Sequence, residues 1–203
     1  MLQWIFFDLG STLLDESDRA RECIESMAAR IGMDLQAFQA MLERNAPQHP
    51  YVIKMELPGD AAWASWVPWP KRLDPLYPGA KPLLESLHGR YKLGVIANHA
   101  TDIVRRIGLD PYFDVAMISQ EVGFSKPDLR MFTTALERAS CAPREAVMVG
   151  DRLDNDIAPA KRLGMKTIWI RQGWGGRAVP ASEEMTPGMQ VDTLEELGAL
   201  LIQ

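Results

Sequence analysis

Cysteine is scarce in this chain. Cys23 and Cys141 stand far apart, without the short spacings that gather metal-binding thiols, so neither a disulfide framework nor a cysteine metal site is indicated. Each falls in an amphipathic helical pattern that suits a small buried thiol. Positive charge is also short. The 22 Lys and Arg residues against 27 Asp and Glu leave a formal charge of -5, with no basic surplus to follow a nucleic-acid backbone. A single phosphate held by a metal is still accommodated. No apolar run reaches the ~20 residues that cross a membrane. The N-terminus lacks the basic region and the long apolar stretch of a signal peptide, so a cytoplasmic protein is expected. Neither repeats nor low-complexity tracts appear. What is present, 47% hydrophobic and 24% charged residues over 203 positions, suffices for one compact core carrying a small insertion.

Short apolar runs rich in β-branched and aromatic residues recur at Trp4–Phe7, Leu93–Ile96, Val115–Ile118, Ala146–Val149 and Thr167–Ile170. Between the later ones lie helical patterns near Thr101–Ile107, Asp128–Ala139 and Ile157–Leu163, with Gly108 and Gly164 placed as C-caps and a closing helix over Thr193–Leu201. Strands alternating with helices predict an α/β fold, a Rossmann-like doubly wound parallel sheet. Residues 15–77 interrupt that rhythm. Helices are predicted over Ser17–Arg30, followed by Gly32, and Leu35–Arg44, with Asp34 as N-cap. A Pro- and Trp-rich stretch follows, with Trp63, Trp66 and Trp69 suited to a small core or a closing surface. The expected division is therefore a core of residues 1–14 and 78–203, with a helical cap inserted at 15–77.

Polar residues mark one edge of the predicted sheet. Asp8, Asn98, Lys126 and Asp151 lie beyond the ends of the first four strands, and in an open parallel sheet those ends share the edge where ligands bind. Each alone has an ordinary explanation: a turn aspartate, a solvated lysine, or an acidic turn at 150–156 whose Asn155 or Asp156 caps the next helix. Four on one edge are harder to dismiss. The run Arg171–Arg177, rich in glycine, does not turn directly into a helix and so is no dinucleotide fingerprint; it reads as a flexible edge loop.

The segments IFFDLGSTLLD, GVIANHA, VGFSKPD and VGDRLDND, in that order, resemble the four motifs of the haloacid dehalogenase superfamily. That resemblance implies a hydrolase with Asp8 as the nucleophile, forming an aspartyl-phosphate that water cleaves. It implies Mg²⁺ held by Asp8, the Gly10 carbonyl and Asp151, with Asp156 as a further acidic residue. Lys126 would balance the carboxylates and hold phosphate, beside Asn98 and His99. A small phosphorylated metabolite is the expected partner. Neither its identity nor the oligomeric state is legible.

Two positions depart from the family pattern. The second aspartate that usually protonates the leaving group is replaced by Gly10, and the hydroxyl residue of the second motif by Ala97. A general acid contributes roughly 10²–10⁴-fold, so slow turnover is expected unless His99, Asp15 or a water substitutes. On the same grounds Gly10→Asp is expected to speed esters with poor leaving groups. Two rival readings follow: a catalytically reduced binding or regulatory protein, and a metal-free dehalogenase, against which the acidic 151–156 segment counts.

Overall fold

A computed structural model describes residues 1–44 and 73–202. Among them, six strands form one sheet: β1 (Trp4–Phe7), β2 (Lys92–Ala97), β3 (Val115–Ile118), β4 (Ala146–Gly150), β5 (Lys166–Ile170) and β6 (Met189–Val191). Every adjacent pair is parallel, in the order β3-β2-β1-β4-β5-β6. The described helices are α1 (Ser17–Ile31), α2 (Leu35–Arg44), α3 (Ala80–Leu87), α4 (Ile103–Arg106), α5 (Ser119–Val122), α6 (Leu129–Ala139), α7 (Ala158–Arg162) and α8 (Leu194–Leu201). The α/β sheet expected from the alternating pattern is the one found.

β1 is buried on both sides, which explains its unbroken apolar run. Ile5 and Phe7 face a layer built with Leu83, Leu84 and Leu87 of α3 and Leu194, Leu197 and Leu201 of α8. Trp4 and Phe6 face the opposite layer, with Met131, Phe132, Ala135 and Leu136 of α6. The period-2 alternation of a strand thus feeds two helical layers. α1 and α2 bury Met27, Ala28, Phe38 and Leu42 in a small cluster of their own. The chain leaving the sheet and the chain returning to it run together: Asp15 N–H donates to the Pro75 carbonyl at 2.8 Å, and Tyr77 N–H to that of Leu13 at 2.9 Å.

The expected strand ends lie within one residue of those observed. Gly108 and Gly164 adopt positive φ just past their helices, as C-caps require. Gly32 ends α1 in the left-handed conformation. Asp34 accepts the Ala37 N–H at 3.0 Å, as an N-cap does. Other features depart from expectation. Cys141 falls two residues beyond α6, and both cysteines are free and half-buried rather than fully enclosed. The helix α3 and the three-residue edge strand β6 were not anticipated. Pro82 in the first turn of α3 obscures its pattern, and β6 is too short to show a period. Trp63, Trp66 and Trp69 lie outside the described residues.

Gly94 shows how tightly one layer closes. It sits opposite Phe6 in the sheet register, and Phe6 stacks on Trp4 with ring centroids 5.5 Å apart. A β-carbon on Gly94 would stand 2.5 Å from two Phe6 ring atoms. Alanine has the better strand propensity, worth under ~1 kcal/mol, but overpacking a filled core costs about 1–3 kcal/mol. Gly94→Ala should therefore lower stability by roughly 1–2 kcal/mol, read as an earlier urea midpoint at unchanged slope. An unshifted midpoint would show that Phe6 has room to move.

Candidate active site

The chain steps outward from β1 to β2 and β3, then returns to the other side of β1 with β4. The sheet order therefore reverses between β1 and β4, which opens a crevice beyond their carboxyl ends. Asp8 follows β1 directly and Asp151 follows β4 directly, so the two carboxylates enter that crevice from neighbouring strands. The Asp8 N–H donates to the Val149 carbonyl at 2.9 Å, continuing the ladder into the site. Asp156 arrives by another route. One π-helical turn, Leu153–Ile157, directs its carboxylate back so that it accepts the Arg152 N–H at 3.0 Å. π-Turns are rare and concentrate at functional sites. Gly150 is required here, because any side chain would collide with the Asp156 carboxylate.

Lys126 joins the group from a loop beyond α5. Its Nζ donates to Asp8 Oδ1 at 2.7 Å and to Asp156 Oδ1 at 2.6 Å, with only 2% of the side chain exposed. Burial alone would lower the lysine pKa, but Asp156 and Asp8 outweigh it and raise it. The lysine is held in place through its backbone. The Asn98 side chain accepts the Lys126 N–H at 2.7 Å and donates to the Lys126 carbonyl at 2.9 Å.

One ammonium faces three carboxylates. Oxygens of Asp8, Asp151 and Asp156 lie within 4.8 Å of one another, all buried. Burial, followed by the charges of Asp156, Asp8 and Glu16, pushes Asp151 well above the carboxylate range. Asp156 is pushed up to about 6, by burial first, with Lys126 pulling the other way and Asp8 adding to the rise. A buried all-oxygen cluster with excess negative charge suits a hard divalent cation.

A family model described as haloacid dehalogenase-like hydrolase matches residues 5–170. A glyceraldehyde 3-phosphate phosphatase from Pyrococcus furiosus is 36% identical over 194 residues, covering 83% of this chain and 80% of that protein. The chain belongs to the haloacid dehalogenase-like hydrolases. A phosphoserine phosphatase from Thermus thermophilus is 27% identical over 247 aligned residues, spanning 97% of this chain and 98% of its own length. A solved 2-haloacid dehalogenase from Pseudomonas syringae pv. Tomato superposes with a TM-score of 0.66 at 26% identity, covering 99% of this chain and 98% of that one.

Other residues of this hydrolase take places that the sequence did not disclose. His99 is nearly buried, and its Nδ1 accepts the Ala100 N–H at 2.8 Å. Burial, and then the charge of Arg19, depress its pKa to about 4, so the imidazole is neutral at pH 7. The Asp15 carboxylate turns to the start of α1, accepting from Ser17 N–H at 3.0 Å and Ser17 O–H at 2.5 Å. Ala97 is buried and offers no hydroxyl. The glycine-rich edge loop is packed rather than loose. The Trp174 side chain lies against the α1–α2 cluster, Gly175 approaches the Asp151 carboxylate, and Gly173, at positive φ, approaches Ser11. Side chains at 173 or 175 would collide with those neighbours. The run of glycines was the available signal, but its partners are distant in sequence. Among the described residues no helix is long and apolar enough to cross a membrane.

The crowded carboxylates predict a pH effect on the metal-free protein. With Asp156 ionising near 6 folded and near 3.8 unfolded, the folded state binds more protons between those values. Stability contributed by this group therefore falls as pH rises from about 4 to 6 and is level above. His99 acts with the opposite sign, since it is kept neutral in the fold, but it is common to wild type and variant. In chelator, the stability of Asp156→Asn relative to wild type should thus rise over pH 4–6, followed by thermal melts. A pH-independent difference would mean that Lys126 keeps Asp156 fully ionised throughout.

Proposed function

We propose that this hydrolase cleaves small phosphate monoesters with Mg²⁺, using Asp8 as nucleophile. The observation that carries the reading is the buried Asp8–Lys126–Asp156 arrangement with Asp151 beside it. The phosphatases among its relatives support the substrate class. The carboxylates of Asp8, Asp151 and Asp156 and the carbonyl of Gly10 are the oxygens that would hold the cation. Bound there, it supplies the charge neutralisation that lets an anionic nucleophile approach an anionic phosphate. Lys126 keeps one Asp8 oxygen engaged, which leaves the other to attack phosphorus. Aspartyl-phosphate forms as the ester P–O bond breaks, and water then attacks phosphorus to release Asp8. Asn98 acts through the Lys126 backbone, while His99 lines the edge as a neutral hydrogen-bonding group. Residues 15–77 would serve as the cap that selects the phosphorylated metabolite.

A dehalogenase working on a haloacid without metal fits less well, since the unbalanced carboxylates would repel the substrate's own carboxylate. Turnover of an aryl phosphate with and without Mg²⁺ separates the readings. Magnesium-dependent hydrolysis supports the phosphatase. Haloacid turnover without metal would replace it, and metal binding without turnover would leave a binding protein. Asp8→Asn should abolish hydrolysis while melting within a few degrees of wild type, because an amide cannot form the acyl phosphate. Retained turnover would remove Asp8 from the chemistry.

Metal binding has its own readout. At about a hundred times the dissociation constant a ligand stabilises by ~2.7 kcal/mol, roughly 5–10 °C in melting temperature for a chain of this size. Mg²⁺ should produce that shift in wild type, and Asp151→Asn should lose most of it. Equal shifts in the two proteins would place the cation elsewhere.

A further inference from the structure

The side-chain proton donor that the family pattern places at position 10 is absent, yet the space beside Gly10 is filled. Leu9 anchors a tight turn: its carbonyl accepts the N–H groups of Leu13 at 2.9 Å and Leu14 at 2.8 Å. Gly10 and Leu14 then form an isolated bridge. The turn brings residue 16 back over residue 10. A β-carbon on Gly10 would stand 2.6 Å from Glu16 Oε1 and 2.9 Å from Oε2. Gly10 is not among the positive-φ glycines, so a side chain there would have to displace the carboxyl of Glu16 and not the backbone.

We infer that Glu16 is the proton-transfer residue of this hydrolase, its carboxyl reaching from α1's N-cap into the place that a side chain at position 10 would occupy. The inference rests on the phosphatase reading. Ser11 O–H donates to Glu16 Oε2 at 3.2 Å, and Arg19 holds Oε1 while also donating to Asp74 at 2.8 Å, so the carboxyl has a fixed orientation. Its side chain keeps 20% exposure, enough to meet a substrate at the edge. The alternatives are poorly placed. Asp15 is turned to Ser17, and the His99 Nδ1 is engaged by the Ala100 N–H.

The two half-reactions balance. As Asp8 bonds to phosphorus and the ester P–O bond breaks, protonated Glu16 gives its proton to the departing oxygen, releasing an alcohol. The Glu16 carboxylate then takes a proton from the water that attacks the aspartyl-phosphate. Asp8 leaves as carboxylate, inorganic phosphate is released, and Glu16 is again protonated.

The test uses kcat/KM, which reads the first half-reaction, on ethyl phosphate and on para-nitrophenyl phosphate with Mg²⁺. Glu16→Gln should lose roughly 10²–10⁴-fold on the alkyl ester, which needs a proton on its leaving oxygen. The loss on the aryl ester should be under about tenfold, because that leaving group departs with little help. Gly10→Asp combined with Glu16→Ala should regain at least about tenfold on the alkyl ester over Glu16→Ala alone, within the reach of one general acid. Equal losses on both esters, or none, would overturn the inference and show Glu16 to be an anchor for Arg19 only. Wild-type turnover confined to the aryl ester would overturn it while sparing the phosphatase reading. No turnover of either ester would overturn both. If Glu16→Gln gives no cooperative melt, Gly10→Asp alone decides. With Glu16 already in that place, the new carboxyl should bring no gain on ethyl phosphate, contrary to the expectation from sequence. A gain of about tenfold or more would show that the proton donor had been missing.

Discussion

A buried ammonium shared between two carboxylates sets the terms for everything around it. Desolvating Lys126, Asp8 and Asp156 is costly, and a buried pair is tolerated only where geometry is close and the remaining polar atoms are satisfied. Here both contacts are short, Asn98 clamps the lysine backbone at both its N–H and carbonyl, and the Arg152 N–H binds the second Asp156 oxygen. Asp151 has no share in that lysine, and its raised pKa records the strain. The protein alone leaves this charge incompletely balanced, which is the physical case for a cation.

The fold makes that concentration of charge possible by topology and by small residues. The reversal between β1 and β4 puts two strand-end aspartates side by side. Close approach then depends on glycines at three contacts: Gly150 against Asp156, Gly175 against Asp151, and Gly10 against Glu16. In each case a missing side chain admits a carboxylate. Position 10 is the most informative of these, since the same glycine removes one acid from the expected place and makes room for another.

Much of the sheet was legible because central parallel strands are buried on both faces and so appear as continuous apolar runs, such as Trp4–Phe7. Caps were legible at Gly32 and Asp34, where a single residue carries the signal. The turn at 153–157 was not. As a sequence it reads as an acidic turn that caps the next helix, whereas the π-turn that aims Asp156 inward depends on long-range packing of Leu153 and Ile157 against Trp169. The edge loop at 171–177 reads as flexible for the same reason, since its contacts with Ser11 and the α1–α2 cluster join segments over a hundred residues apart.

By itself the sequence determined five of the six described strands, the parallel α/β class, and the gathering of Asp8, Asn98, Lys126 and Asp151 along one edge. Those follow from hydrophobic periodicity and from chain direction, both of which are local. Only the tertiary structure decided that Asn98 hydrogen-bonds the Lys126 backbone, that burial lowers the His99 pKa, and that Glu16, not Asp15, lies beside Gly10. Each depends on distances and desolvation set by non-local packing. A turn of a few residues reverses the order in which neighbours meet, and burial moves a pKa with no change in residue type.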